Sequence, residues 1–478
     1  MVENKFIYGR KSEIQTILNH YKSPTSSMLA VVGRRRVGKT YLIRKVLEGV
    51  IDFEMTGYQH GSKKDQLQNF LLTLSKFTNT SIVTQPPKTW LEAFHQLRIY
   101  LSEKKGKKKK VIFLDELPWM NTPKAGFVES LAHFWNDWAS ENNVLLIICG
   151  SAAAWMLKNV VHNKGGLHNR ITQTIFLEPF DLKDTKAMLD GLKIKATPHQ
   201  VIELNMVLGG VPYYLSLLQR EKSIAQNIDQ LLFEKNGNLV KEFDNLFQSL
   251  FDNAGSHIHV IDLLSSKWKG LTRKEIADEY KGKDGGSLTL VLDELVLSGF
   301  VAKYIPFQKT KKDTLYRICD PYILFYKRFL SKKALKSSYA GIMNTPSYRS
   351  WCGYAFENIC LNHTALIKDK IGIARIESVE SSFYAPGSKD QDGFQIDLVI
   401  DRADGIINIC EMKYYNAPFT IDNKYYTELQ LRIENFRKIS KTQKAIQLVF
   451  ISSLGLLPNA YSHEIVDIDI AFQDALQE

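Results

Sequence analysis

Residues 33–40 read GRRRVGKT: Gly33, Arg34, Arg35, Arg36, Val37, Gly38, Lys39 and Thr40. The pattern is G-x-x-x-x-G-K-[ST], whose glycines let backbone N–H groups wrap a chain of phosphates while the following helix presents its positive end. In that role Lys39 holds the β and γ phosphates of ATP, and Thr40 ligates Mg2+ through its hydroxyl. The flanks suit the reading. Residues 28–32 (MLAVV) are a short apolar run that stops at Gly33, and Tyr41, Leu42, Val46 and Leu47 then recur with helical spacing.

Two further apolar runs, 111–114 (VIFL) and 144–149 (VLLIIC), have the length and composition of strands buried on both faces, with a helical, Trp-rich stretch, 127–138, between them. Strands alternating with helices imply a parallel sheet and an α/β fold. The first of these runs ends in Asp115 and Glu116. Asp115 at a strand end suits the Mg2+ shell, and Glu116 just beyond it suits polarising the water that attacks the γ phosphate. The second run ends at Ser151, a candidate sensor of that phosphate. Arg170, which precedes a further strand, reads equally as an arginine finger, in cis or in trans, and as a structural ion-pair partner.

The chain has 478 residues, which points to about three domains. Apolar residues make up 44% and charged residues 24%, so large packed cores are expected and wholesale disorder is not. Lys and Arg outnumber Asp and Glu by 62 to 51, a formal charge of +11, which favours a polyanionic partner such as DNA. The run Lys104, Lys105 and Lys107 to Lys110 reads as a solvated loop before it reads as a nucleic-acid contact. Five cysteines without a C-x-x-C pair read as buried reduced thiols rather than a zinc or disulfide framework. The start of the chain has no apolar signal core and no stretch approaches the roughly 20 apolar residues of a membrane span, so a cytoplasmic protein without a membrane partner is expected.

After Phe180 the pattern is helical to about residue 250, broken by the turn at Gly209, Gly210, Val211 and Pro212, as in a lid beside a sheet. Residues 260–265, a segment begun by Thr272, and 287–298 read as three helices, followed by a basic hairpin over 304–318. That order resembles a winged helix, although the third helix carries Asp293 and Glu294 and suits a spacer or interaction module as well as a DNA groove. Residues 331–350 read as a polar, basic linker.

Farther on, 394–400 (FQIDLVI) and 406–414 (IINICEMKY) alternate as strands joined by a hairpin signal. Asp397 breaks an apolar pattern, and Glu411 and Lys413, two apart, share a face. A register pairing positions that sum to 808 sets Asp397 opposite Glu411, whereas a slip of one residue turns Glu411 away. Two carboxylates and a lysine on one face suit a Mg2+ that activates water against a phosphodiester, with Lys413 stabilising charge or positioning the nucleophile. They also suit half-exposed hairpin charges.

The segments FIYGRKSEI, GRRRVGKT, FLDELPWM, CGS and GGVPYYL, within residues 6–250, resemble the archaeal-type ATPases of the STAND branch of the AAA-like superfamily. That family often carries a winged helix and a C-terminal region of PD-(D/E)XK nuclease type. The resemblance implies an ATPase core over 1–180, a helical lid over 181–252, a winged-helix-like domain over 253–330 and a restriction-endonuclease-like α/β domain over 345–478. It also implies a helix acid that joins Asp397 and Glu411 in the metal shell, a place that Glu357 fits, with Gln430 on a later helix a weaker candidate. The expected partners are ATP, DNA and further copies of the chain. Two functions follow: an ATP-controlled, Mg-dependent nuclease, or a signalling or scaffold ATPase whose C-terminal domain only binds DNA or protein.

Overall fold

The computed structural model describes residues 7–78, 85–104, 108–251, 253–280, 285–331, 338–385 and 393–476. The chain divides into two compact units, Met1–Pro179 and Phe180–Glu478.

The first unit is built on five parallel strands, β1 (Ser27–Val32), β2 (Phe53–Thr56), β3 (Lys110–Asp115), β4 (Val144–Gly150) and β5 (Gln173–Phe176), in the spatial order β2-β3-β4-β1-β5. Every residue of β1 and β4 is buried. Strand alternation divides these residues between two cores. Met28, Ala30, Val32, Ile112, Leu114, Leu146 and Ile148 face an aromatic layer of Phe70, Trp90, Phe94, Phe127 and Phe134, carried by the helices Lys63–Thr78, Trp90–Glu103 and Phe127–Asp137. Leu29, Val31, Val111, Phe113, Leu145, Ile147 and Cys149 face Ile17, Leu42, Ile43 and Leu47 from the other side. Both faces are therefore covered, which is why the strands read as continuous apolar runs. Because β1, β3 and β4 run parallel and in step, with Val32 beside Gly150 and Leu114 beside Ile148, their C-terminal ends open on one edge of the sheet. Open α/β sheets bind ligands at that edge.

The second unit begins with the helices Leu182–Gly191, Pro198–Leu208 and Glu242–Leu250 among shorter turns, as the helical pattern predicts. Thr197 starts the second of these with a capping box to Gln200 and Pro198 at its first turn. The helices Ala254–Ser265, Arg273–Glu279 and Gly286–Leu297 accompany a small antiparallel sheet of β6 (Leu271–Thr272), β7 (Val301–Tyr304) and β8 (Leu315–Ile318), ordered β6-β8-β7. The last sheet is mixed: β9 (Ser378–Ala385), β10 (Phe394–Arg402), β11 (Ile406–Lys413), β12 (Ala445–Ser452) and β13 (Ile468–Ala471), ordered β13-β12-β11-β10-β9. β9, β10 and β11 are antiparallel to one another, and β11, β12 and β13 are parallel.

Residues 338–350 correct the linker expectation. Thr345 caps the helix Pro346–Asn362, with Pro346 in its first turn, and Tyr339 and Tyr348 are buried. Their hydroxyls both donate to Oε1 of buried Glu203, at 2.7 and 3.0 Å. A polar tract is drawn inward because its tyrosines satisfy a buried carboxylate.

Candidate functional site

The turn from β1 into the helix Lys39–Val46 is tight. A Cβ on Gly33 would fall 2.2 Å from the carbonyl oxygen of Leu177, so the close approach of those two backbones requires glycine. Gly38 opens the helix at φ +89°, in the left-handed region. Arg34 and Val37 are buried, whereas Arg35 and Arg36 are half-buried at the loop's outer side. Lys39 is only 6% exposed, and its ammonium donates to the carbonyl oxygens of Gly33 at 2.8 Å and Arg34 at 2.9 Å. Burial draws its pKa down, opposed by the nearby carboxylates of Glu116 and Asp115.

β3 delivers Asp115 to the same place. Thr40 Oγ1 donates to Asp115 Oδ2 at 2.8 Å, while Asp115 Oδ1 accepts from the backbone N–H of Glu116 at 3.0 Å and the thiol of Cys149 at 2.6 Å. Burial, then Asp115, pushes the Cys149 thiol well up, which keeps it a neutral donor. Sequence reading missed this partner. Its signal was the parallel pairing of two apolar runs, which sets the residue after Ile148 beside the residue after Leu114.

Glu116 adopts φ 53°, a left-handed conformation that is uncommon outside glycine and concentrates at functional sites. Its Oε2 accepts from both the backbone N–H and the hydroxyl of Ser151, at 2.9 and 2.8 Å. Lys39, Thr40, Asp115, Glu116 and Ser151 thus meet at the C-terminal edge of the first sheet. Arg170 is exposed on the turn that precedes β5.

Residues 7–218 match a family profile described as an ATPase domain predominantly from Archaea. This segment, which carries the site at the sheet edge, is similar to the ATPase domains of that family. The match covers less than half of the chain, and the second unit lies largely outside it. An uncharacterized protein of Methanocaldococcus jannaschii is 23% identical over 397 residues, spanning 82% of this chain and 83% of that one. Among solved structures, a Walker-type ATPase of Pyrococcus abyssi aligns at 18% identity and TM-score 0.47, over 67% of this chain and 96% of its own. The ORC2 protein of Aeropyrum pernix, in ADPNP and ADP complexes, aligns at 14% identity and TM-score 0.42, over 75% and 96%.

The ATPase edge offers a hard cation two oxygen donors, the Thr40 hydroxyl and the Asp115 carboxylate, already within hydrogen-bond distance of each other. That fits Mg2+, which takes one or two protein oxygens and completes its shell with phosphate and water.

The C-terminal carboxylates stand differently. Leu398 pairs with Cys410 and Val399 with Ile409, the register that sets Asp397 against Glu411, and three residues, 403–405, join the strands. The pairing of β10 with β9 shifts between Ile396 and Val399, so a bulge falls at Asp397 and Leu398. Burial, and Glu411 after it, push Asp397 up. Burial and then Asp397 raise Glu357, on the helix Pro346–Asn362, to about 8.

Glu411 is nevertheless held in its charged form. Burial opposes ionisation, but the charges of Lys413 and Arg432 outweigh it. Lys413 Nζ lies 2.9 Å from Oε1, which also accepts from the Tyr425 hydroxyl, and Arg432 pairs with Oε2. Among the described residues no three His, Cys, Asp or Glu side chains are grouped so as to hold an ion, and Glu357, Asp397 and Glu411 are no exception. Both oxygens of Glu411 are engaged, Oε1 by Lys413 and the Tyr425 hydroxyl and Oε2 by Arg432. Gln430 is exposed and donates to the Tyr426 hydroxyl at 2.6 Å.

Of the lysine run, 105–107 lie outside the described residues. Lys104 pairs with Asp52 at 2.6 Å, and Lys109 donates to the carbonyls of Ser23 and Thr25 at 2.7 and 2.6 Å, so both serve the fold. Among the described residues no helix is long and apolar enough to cross a membrane.

Proposed function

We propose that the first unit hydrolyses ATP with Mg2+ and that nucleotide state controls a second unit that binds DNA. The observation that supports hydrolysis best is the hold of Ser151 on Glu116 beside the Thr40–Asp115 pair. Thr40 and Asp115 would hold Mg2+, which would supply charge neutralisation of the phosphates. Lys39 exchanges its two loop carbonyls for the β and γ phosphates. Glu116 takes a proton from the attacking water, and Ser151 couples that carboxylate to the γ-phosphate position.

For the second unit the binding reading is favoured over cleavage by the ion-paired state of Glu411, whose charge Arg432 and Lys413 already cancel. A metal-dependent nuclease is the second reading, and the register that brings Asp397 against Glu411 favours it. One experiment separates them. The purified full chain, with ATP and Mg2+ or Mn2+, is incubated with labelled single- and double-stranded DNA, beside Glu411→Gln and Lys413→Ala variants. Binding without cleavage in all three supports the module. Cleavage by the unaltered chain that both variants lose, with ATP binding unchanged, establishes the nuclease. Absence of both binding and cleavage contradicts the assignment of DNA as partner.

A further inference from the structure

A cavity of about 390 Å³ lies within the second unit, a size that suits one small ligand. Its wall combines three sequence regions: Trp268 and Lys269 from the turn before β6, Arg317 on β8, and Glu357, Gln395 and Asp397 from the C-terminal helix and sheet. The carboxylates are thus only half of what faces this space.

The other half is aromatic and basic. Trp268 and Tyr354 stack with ring centroids 5.0 Å apart and planes within 3°, and Tyr354 is exposed at its rim. Lys269 is exposed, with its ammonium 5.3 Å from the centroid of the exposed Tyr384 ring. Arg317 donates one N–H to Asn358 Oδ1 and is part of the cavity lining. Gln395 donates its amide N–H to Asp397 at 2.6 Å, while its own Oε1 is buried without a hydrogen-bond partner among the described residues. A buried acceptor left open in a cavity calls for a donor from a ligand.

Flat aromatic faces interleaved with cations are the chemistry of unpaired nucleic-acid strands: bases stack on rings, and phosphates lie on Lys and Arg. A duplex cannot use it, because its bases are already stacked on one another and paired, and offer no free face to the rings. We propose that the cavity takes one unpaired nucleotide of single-stranded DNA, its base against the Trp268–Tyr354 pair and its phosphate on Lys269 and Arg317. The base's amino or imino N–H meets Gln395 Oε1. The inference rests on the reading of the second unit as DNA-binding and names the form of DNA and the residues that hold it. It also makes the small β6-β8-β7 sheet a part of the binding site rather than a spacer.

The test is fluorescence anisotropy of the full chain with a short labelled single strand and with the same sequence as a duplex, at several salt concentrations. The single strand is expected to bind at least about tenfold more tightly. Tyr354→Ala and Trp268→Ala each weaken it about 5- to 150-fold, the worth of one stacked base, while Trp268→Phe keeps most of the affinity and controls for folding. Lys269→Ala, on the exposed rim, lowers the slope of log affinity against log salt by about 0.7, the loss of one phosphate contact on a single strand. ATP turnover stays unchanged in all four. Equal affinity for duplex and single strand, or single-strand affinity indifferent to Tyr354 and Trp268, overturns the cavity assignment and leaves DNA binding standing. Failure of both DNA forms to bind removes the broader reading and this inference together.

Discussion

Ser151 gives two hydrogen bonds, from its hydroxyl at 2.8 Å and its backbone N–H at 2.9 Å, to the same oxygen of Glu116. The end of β4 thereby fixes the carboxylate that follows β3, although Glu116 itself sits in a left-handed turn that its own backbone does not favour. Ser151→Ala removes the side-chain bond and leaves the backbone one. ATP affinity is expected to hold while turnover falls about tenfold, the worth of one hydrogen bond to a charged group. A phosphate-release assay reads this directly, and unchanged turnover would remove Ser151 from the reaction.

Lys39 is buried and held by two carbonyls of its own loop, so phosphate binding must replace those bonds with charge-assisted ones. Lys39→Ala is expected to weaken ATP binding about 10- to 150-fold, from the 1.5–3 kcal/mol typical of a bond to a charged group. Calorimetric titration gives the affinity, and an unchanged Kd contradicts the role.

Arg432 and Glu411 form an ion pair whose side chains are 24% and 10% exposed. Arg432→Met is expected to cost about 3 kcal/mol, near the lower end for breaking a buried pair, because Lys413 and Tyr425 still hold Glu411. The double variant Glu411→Gln with Arg432→Met recovers most of that loss. Urea denaturation of the unaltered chain, the two single variants and the double variant gives the coupling, and additive costs would show that the two side chains do not depend on each other.

Burial, with Asp397 next in size, raises Glu357 from 4.5 to about 8. Between those values the folded chain holds a proton that the unfolded chain has released. The associated stability is complete below about pH 4.5 and is lost as pH rises through 8, with a slope of up to about 1.4 kcal/mol per pH unit for one proton. Urea midpoints between pH 5 and 8, taken with a chelator present, are expected to fall more steeply for the unaltered chain than for Glu357→Gln. Parallel curves contradict the shift.

The ATPase edge was largely legible in the sequence because a parallel sheet writes itself as apolar runs and puts its chemistry at their ends. Lys39 and Thr40 follow from the motif at 33–40, and Asp115, Glu116 and Ser151 from their places at the ends of the apolar runs. Cys149 did not, because a cysteine inside an apolar run looks like filling until the neighbouring strand is placed beside it. The hairpin register around Asp397 was legible only as a condition: pairs that sum to 808 set Asp397 opposite Glu411 and a slip of one turns Glu411 away, and the structure has the former. What local pattern could not supply was Arg432 and Tyr425, seven residues apart on the helix Asn423–Ser440, where they read as polar helix surface. Their partnership with Glu411 is a matter of how that helix packs on the sheet. Tyr339 and Tyr348 failed to show for the same reason, because the carboxylate that buries them, Glu203, is more than a hundred residues away in sequence.

The claim that the first unit hydrolyses ATP at this edge is tested most directly by Glu116→Gln, measured for both nucleotide affinity and steady-state phosphate release. The amide keeps the shape of the side chain and its contact with Ser151 but cannot take a proton from water. The account predicts an unchanged Kd for Mg2+ and ATP with turnover lowered about 10²- to 10⁴-fold. Turnover equal to that of the unaltered chain would contradict it.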